Sequence, residues 1–161
     1  GPAGTTLVVV KEAILGKVSR KIPSMMDYKV QIDKESMFNT PPVFAVYTSM
    51  LTLEWLKSLG GIEAIEKENF KKARLMYSEI DLNPLFKGFA AKADRSTMNA
   101  TFSLTDDKLK DTFDAMWKEA GINGLNGHRS VGGYRASMYN ALPLESVATL
   151  VDVMSELERK A

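Results

Sequence analysis

The stretch Gly127-His128-Arg129-Ser130-Val131-Gly132-Gly133-Tyr134-Arg135 gathers two guanidinium groups and the sole histidine of the sequence into glycine-rich chain. Guanidinium forks match the paired oxygens of carboxylates and phosphates, and an imidazole adds a titratable donor. Glycine lets backbone approach a ligand closely. Such a set can hold a small molecule that carries both a carboxylate and a phosphate. Each residue also has a plainer use: Arg129 in a loop salt bridge, Arg135 in a strand-edge ion pair, His128 as a hydrogen-bonded surface side chain.

A second candidate is Asn39-Thr40-Pro41-Pro42. Thr40 or Asn39 suits an N-cap, and Pro41 suits the first helical position, where its missing N–H is not needed. A rigid helix start offers free N–H groups and the positive end of the macrodipole, which favour a phosphate. An ordinary capped helix is the alternative. Other chemistry is excluded by composition: with no cysteine and one histidine, the chain has no thiolate nucleophile, no disulfide and no multi-histidine metal centre. The nine methionines read as core filler. Glu63, Glu66, Lys67, Glu68, Lys71, Lys72 and Arg74 read as a solvated helix face, and Asp106 and Asp107 as helix-start carboxylates.

The elements that must position these residues follow from periodicity. Thr6 to Val10 is a short apolar, β-branched run, as expected for a strand buried on both faces. A short helix near Lys11 to Val18 and an irregular stretch from Ile22 to Asn39 follow, without a partner strand. Pro41 to Leu59 has a helical pattern that is apolar over most of its circumference, which predicts burial on more than one side. Gly60-Gly61 stops it. A helix from Ile62 to about Ile80 ends at Asn83-Pro84. Met98, Ala100, Phe102 and Leu104 alternate with polar residues as a half-buried strand does. A helix capped at Thr105 to Asp107 carries Leu109, Phe113, Met116 and Trp117. Two short strands, Ile122 to Leu125 and Tyr134 to Tyr139, flank the glycine-rich segment. Pro143 opens a last helix with Val147, Leu150, Val151, Met154 and Leu157 on one stripe.

The 161 residues, 45% of them apolar, suffice for a core of their own. Twenty-one basic against twenty acidic residues leave a net charge of +1, so nothing global points to nucleic acid. No apolar run approaches roughly 20 residues and no charged-then-apolar leader opens the chain, so neither a membrane span nor a signal peptide is expected. The expectation is a soluble, cytoplasmic protein.

Three segments in order carry a resemblance: Gly1-Pro2-Ala3-Gly4 before the first apolar run, Phe38-Asn39-Thr40-Pro41-Pro42 opening a helix to Trp55-Leu56-Lys57, and Gly127 through Leu144. Together they resemble the phosphoserine aminotransferases, fold-type-I transaminases that use pyridoxal 5′-phosphate. The likeness runs from the first residue to the last. It implies an α/β fold: residues 1–59 as the C-terminal remnant, last strand and long helix, of the large cofactor-binding domain, and residues 60–161 as the small C-terminal domain, an antiparallel sheet with helices on one face. In that family the Schiff-base lysine lies a few residues before the Gly-Pro-Ala-Gly segment. No catalytic residue is therefore expected in this chain, which reads as a C-terminal portion unable to transaminate alone.

Carried over by residue, the resemblance implies that Asn39 and Thr40 reach the cofactor phosphate of the neighbouring subunit in a homodimer. It gives Arg135 the substrate α-carboxylate, and His128 and Arg129 the substrate phosphate. Tyr134 stands where a relative commonly has another aromatic. The implied reaction moves the amino group of glutamate to 3-phosphohydroxypyruvate, giving O-phosphoserine and 2-oxoglutarate in serine biosynthesis, with a further role in pyridoxine biosynthesis. Two alternatives remain: a related fold-type-I enzyme for an unphosphorylated amino acid, and a non-catalytic module for anionic metabolites.

Overall fold

A computed structural model describes residues 3–161, and Gly1 and Pro2 of the Gly-Pro-Ala-Gly segment lie outside the described residues. The chain divides into two compact units, Gly1–Leu59 and Gly60–Ala161.

In the first unit the regular elements are 3-10 turns at Glu12–Ile14 and Ser24–Met26, a short helix α1 (Tyr28–Asp33) and a long helix α2 (Val43–Ser58). The strand expected at Thr6 to Val10 does not form, and Leu7 and Val9 are each 90% exposed. A β-branched run becomes a strand only against a neighbour that takes up its N–H and C=O groups, and the described part of this unit has no strand to supply them. The helix expected at Lys11 to Val18 is a single 3-10 turn.

Helix α2 begins two residues later than the sequence suggests. Pro42 is its N-cap, with φ −74° and ψ 76°, and the Val46 N–H donates to the Pro42 carbonyl at 3.0 Å. The reason is steric. Pro41 precedes another proline, whose ring disfavours helical dihedrals at the residue before it. Neither Asn39 nor Thr40 caps the helix: both are exposed, and the Asn39 amide donates only a long bond, 3.4 Å, to the Thr40 carbonyl. The burial predicted for α2 is also absent among the described residues. Only Ala45 is buried, while Phe44, Tyr47, Leu53 and Trp55 are exposed. Its hydroxyls fold back on the helix, Thr48 on the Phe44 carbonyl, Ser49 on Ala45 and Thr52 on Thr48, each at 2.8–2.9 Å. That self-satisfaction leaves the cylinder apolar nearly all round, and the described residues of this unit hold no sheet or second long helix to cover it.

The second unit runs α3 (Gly61–Leu82), β1 (Phe86–Gly88), β2 (Asn99–Leu104), α4 (Lys110–Glu119), β3 (Tyr134–Ser137) and α5 (Leu144–Lys160). The sheet is antiparallel in the order β1-β2-β3, with Phe86 opposite Leu104 and Thr101 opposite Arg135. The helices cover one face. Alternation along β2 and β3 sends Ala100, Phe102, Tyr134 and Ala136 inward, where they meet Met76 and Ile80 of α3, Phe113 and Trp117 of α4, and Val147, Leu150, Met154 and Leu157 of α5. Phe86, Phe102, Phe113 and Tyr134 form a chain of ring contacts with centroids 5.0–5.8 Å apart.

The expected order of helix, strand, helix, two strands, helix is corrected at two places. Phe86–Gly88 forms an edge strand too short for a periodic signal. Ile122 to Leu125 is not a strand. Gly121 and Gly124 take φ of +76° and +73°, which bends the segment, and contact with β3 shrinks to the Arg135 N–H on the Leu125 carbonyl (2.7 Å) and an isolated bridge between Asn126 and Tyr134.

The solvated face expected for α3 also fails at one residue. Lys72 is 1% exposed, and its ammonium donates to the carbonyls of Met138, Tyr139 and Leu142 at 3.2, 2.8 and 3.0 Å. It gathers the turn that leads from β3 into α5. Burial pushes this ammonium below the usual lysine range, with the Glu68 carboxylate pulling the other way.

Candidate functional site

Strand β3 alternates, so its inward residues fix where its outward residue stands. Tyr134 is buried, and its hydroxyl donates to Asp114 Oδ1 at 2.8 Å. The same oxygen accepts from the Trp117 indole at 3.0 Å, while Oδ2 accepts from Lys110 at 2.6 Å. Burial opposes the charge on Asp114, yet the bonds from Lys110, Trp117 and Tyr134 hold its carboxyl below the ordinary range. Burial, and then the neighbouring Asp114 charge, push the Tyr134 phenol above its ordinary value. Arg135, the next residue, points to the other face. It is exposed and joins no ion pair among the described residues.

The glycine-rich segment closes over the end of that face. The Gly127 N–H donates to the Gly133 carbonyl at 2.9 Å, and the His128 carbonyl accepts from both Val131 and Gly132, at 2.9 and 2.8 Å. Two glycines are required by contact. A Cβ at Gly127 would lie 2.1 Å from the Gly132 oxygen, and one at Gly133, where φ is +63°, would lie 2.6 Å from the Phe102 oxygen.

The result is a cleft of about 340 Å³ lined by His128 and Arg135, by Thr101 and Ser103 of β2, and by Phe89 and Val131. His128 and Arg135, expected to act together, share it. Arg129 does not line it: its side chain is exposed on the same loop, without an ion pair among the described residues. Thr101 and Ser103 were missed as lining residues, although they are the polar half of the alternation that marks β2. A second cavity of about 300 Å³ lies where the 121–125 segment parts from β3, with Ser137, Leu142, Ser146 and Leu150 in its walls. Asn39 and Thr40 belong to the other unit. There the N–H groups of Val43, Phe44 and Ala45 precede the first intrahelical bond, a few residues along the chain. No cluster of metal-ligating side chains occurs among the described residues, and none of their helices is long and apolar enough to cross a membrane.

The profile of the class-V aminotransferases matches residues 1–150, and the chain belongs to that family. More particularly, it is 69% identical over 160 residues to a phosphoserine aminotransferase of Flavobacterium psychrophilum and 67% identical to that of Flavobacterium johnsoniae, in each case covering 99% of this chain and 45% of the relative. The chain thus spans a little under half the length of the curated relatives it matches. Among solved structures, a phosphoserine aminotransferase described for radiation damage of its Schiff base superposes with a TM-score of 0.86 at 44% identity, over 94% of this chain and 42% of that one. The pyridoxal-phosphate-bound phosphoserine aminotransferase of Trichomonas vaginalis superposes with a TM-score of 0.77 at 37% identity, over 86% and 40%.

Proposed function

We propose that this chain is the C-terminal portion of a pyridoxal-phosphate-dependent phosphoserine aminotransferase, a cytoplasmic homodimer that converts 3-phosphohydroxypyruvate and glutamate to O-phosphoserine and 2-oxoglutarate. The observation that carries the reading is 69% identity to such an enzyme along 99% of the chain. Residues 1–59 belong on this reading to the large domain and residues 60–161 to the small one.

The cofactor supplies an electron sink for the bonds around the amino-bearing carbon. The chain's own residues bind and orient. Arg135, extended from the open face of β3 with no competing carboxylate, takes the α-carboxylate as a bidentate fork. His128 and Arg129 take the substrate phosphate, which separates phosphoserine from serine. The residues at the start of α2 fit the cofactor phosphate: the Asn39 amide and Thr40 hydroxyl are exposed next to helix-start N–H groups that no side-chain cap consumes. That a proline rather than Asn39 or Thr40 is the N-cap leaves both side chains available for such a ligand.

The test is glutamate-dependent amination of 3-phosphohydroxypyruvate by the product of the complete reading frame with pyridoxal phosphate. Activity is expected, and Arg135→Ala should raise KM for both substrates, since both carry an α-carboxylate. Replacing His128 and Arg129 together should abolish the preference for the phosphorylated keto acid and spare glutamate. Equal turnover of phosphorylated and unphosphorylated keto acids by the unaltered protein would overturn the assignment of the phosphate site.

A further inference from the structure

The hydrogen bonds inside the 127–133 loop decide which nitrogen of the His128 ring carries the proton. The Ser130 backbone N–H donates to His128 Nδ1 at 3.3 Å, and the Ser130 hydroxyl lies 2.7 Å from the same nitrogen. Taken alone, the hydroxyl contact fits either tautomer, because a hydroxyl both donates and accepts. The amide contact does not. A backbone N–H only donates, so Nδ1 must offer it a lone pair, and the hydroxyl turns its own proton to the same lone pair. The proton of the neutral ring then sits on Nε2. A proton on Nδ1 would instead meet the Ser130 N–H head-on.

Ser130 is not free to move off. The His128 carbonyl accepts from both Val131 and Gly132, so residue 130 is held at the apex of a closed turn whose ends are pinned by the Gly127 to Gly133 bond. Nε2 has no protein partner among the described residues, and the ring lines the cleft that Arg135 also lines.

We propose that Ser130 is a positioning residue: its backbone N–H selects the Nε2–H tautomer of His128, and its hydroxyl, the shorter contact at 2.7 Å, supplies most of the hold, so the ring presents a fixed N–H donor to a substrate oxyanion. The proposal rests on the reading of this cleft as an oxyanion site. It assigns the selection of phosphate partly to a residue that need not touch the substrate. An unlocked ring would spend part of its time offering a lone pair to the oxyanion, which repels it.

His128 is the sole histidine of the sequence, so its ring can be observed without ambiguity. The protein is labelled with 15N-histidine and long-range proton–nitrogen correlations are recorded at about pH 8, above the ordinary imidazole range. The expected pattern has Nδ1 unprotonated and Nε2 protonated as the dominant form. The Ser130→Ala variant keeps the 3.3 Å amide contact and loses the 2.7 Å hydroxyl contact, so both nitrogen shifts should move part of the way toward a tautomer average, and Ser130→Thr, which keeps the hydroxyl, should restore them. Titration with inorganic phosphate, read on the His128 ring proton, should be about three- to tenfold weaker in Ser130→Ala and near the unaltered value in Ser130→Thr. A dominant Nδ1–H form in the unaltered protein overturns the proposal. So does an Ala variant in which neither the ring shifts nor phosphate binding changes. Absence of phosphate binding in every variant, with the ring as described, overturns the reading of the cleft and leaves the tautomer lock standing.

Discussion

Lys72→Met probes the joint that holds β3 against the helices. Methionine preserves most of the length of the side chain while deleting its three donors. The Met138 carbonyl is buried with its lysine partner and has no route to water, so leaving it unpaired costs about 1–3 kcal/mol. The Tyr139 and Leu142 carbonyls are only partly buried and can recruit water, so each adds about 0.5 kcal/mol. Relief from desolvating an ammonium that is 1% exposed returns part of this. The net expectation is a loss of about 2–3 kcal/mol. With a denaturant slope near the low end for domains of this size, roughly 1.5 kcal/mol per molar urea, the midpoint falls by about 1.3–2 M. Urea unfolding is followed by Trp117 fluorescence, with Trp55, the other tryptophan, replaced by phenylalanine. Lys71→Met is the control: Lys71 is 59% exposed, and its change should lie within about 0.5 kcal/mol. If the two methionine variants unfold at the same midpoint, the three carbonyl bonds do not hold the turn and the argument fails.

Three further outcomes follow from the same structure. Gly133→Ala should lower stability by about 2 kcal/mol or more, seen as a fall in Tm, because its Cβ would enter the Phe102 carbonyl at 2.6 Å with φ at +63°. Tyr134→Phe should cost about 1 kcal/mol in urea unfolding by removing the 2.8 Å bond to Asp114. For pH dependence, the 2.6 and 2.9 Å bonds from Arg95 hold the Asp81 carboxyl at about 2, against opposing burial and with help from Lys92. A depressed carboxylate stabilises the fold fully above its unfolded value, 3.8, and loses that contribution as pH falls through about 2. Unfolding measured between those limits should therefore steepen with acid, and Asp81→Asn should flatten that part of the curve.

Strand β2 and the stripes of α3, α4 and α5 were legible because each repeats its period several times over residues with one buried face. Legibility failed where the decisive partner is distant in sequence. Lys72 sits in a run of glutamates and lysines and reads as solvated; only the fold brings Met138, Tyr139 and Leu142 under its ammonium. Thr6 to Val10 has strand composition, but composition does not provide a neighbouring ladder. The helix start at Asn39 misled by one proline, since the ring of Pro42 acts on Pro41. In the cleft, the glycines and charges of the 127–135 segment were visible, and so was the strand that carries Arg135. The absence of Arg129 from the lining was not, because it depends on a turn closed by the His128 carbonyl.

Residues on the ligand side of β3 do little to hold Arg135 in place. Its strand is tethered at one end by the Tyr134 hydroxyl on Asp114 of α4, and beyond the other end by Lys72 of α3 on the carbonyls of residues 138, 139 and 142. Both tethers are polar groups set in the helix layer, on the face opposite the cleft. The geometry of the guanidinium's root is therefore independent of whether an anion is bound, and no ordering of β3 need accompany binding. The 127–133 loop is built differently: its own hydrogen bonds are internal, among Gly127, His128, Ser130, Val131 and the glycines at 132 and 133. On the proposed reading, a carboxylate fork fixed from the helix layer beside a self-contained phosphate loop would let the loop alter which side group is accepted without disturbing the part of the substrate that every amino acid shares.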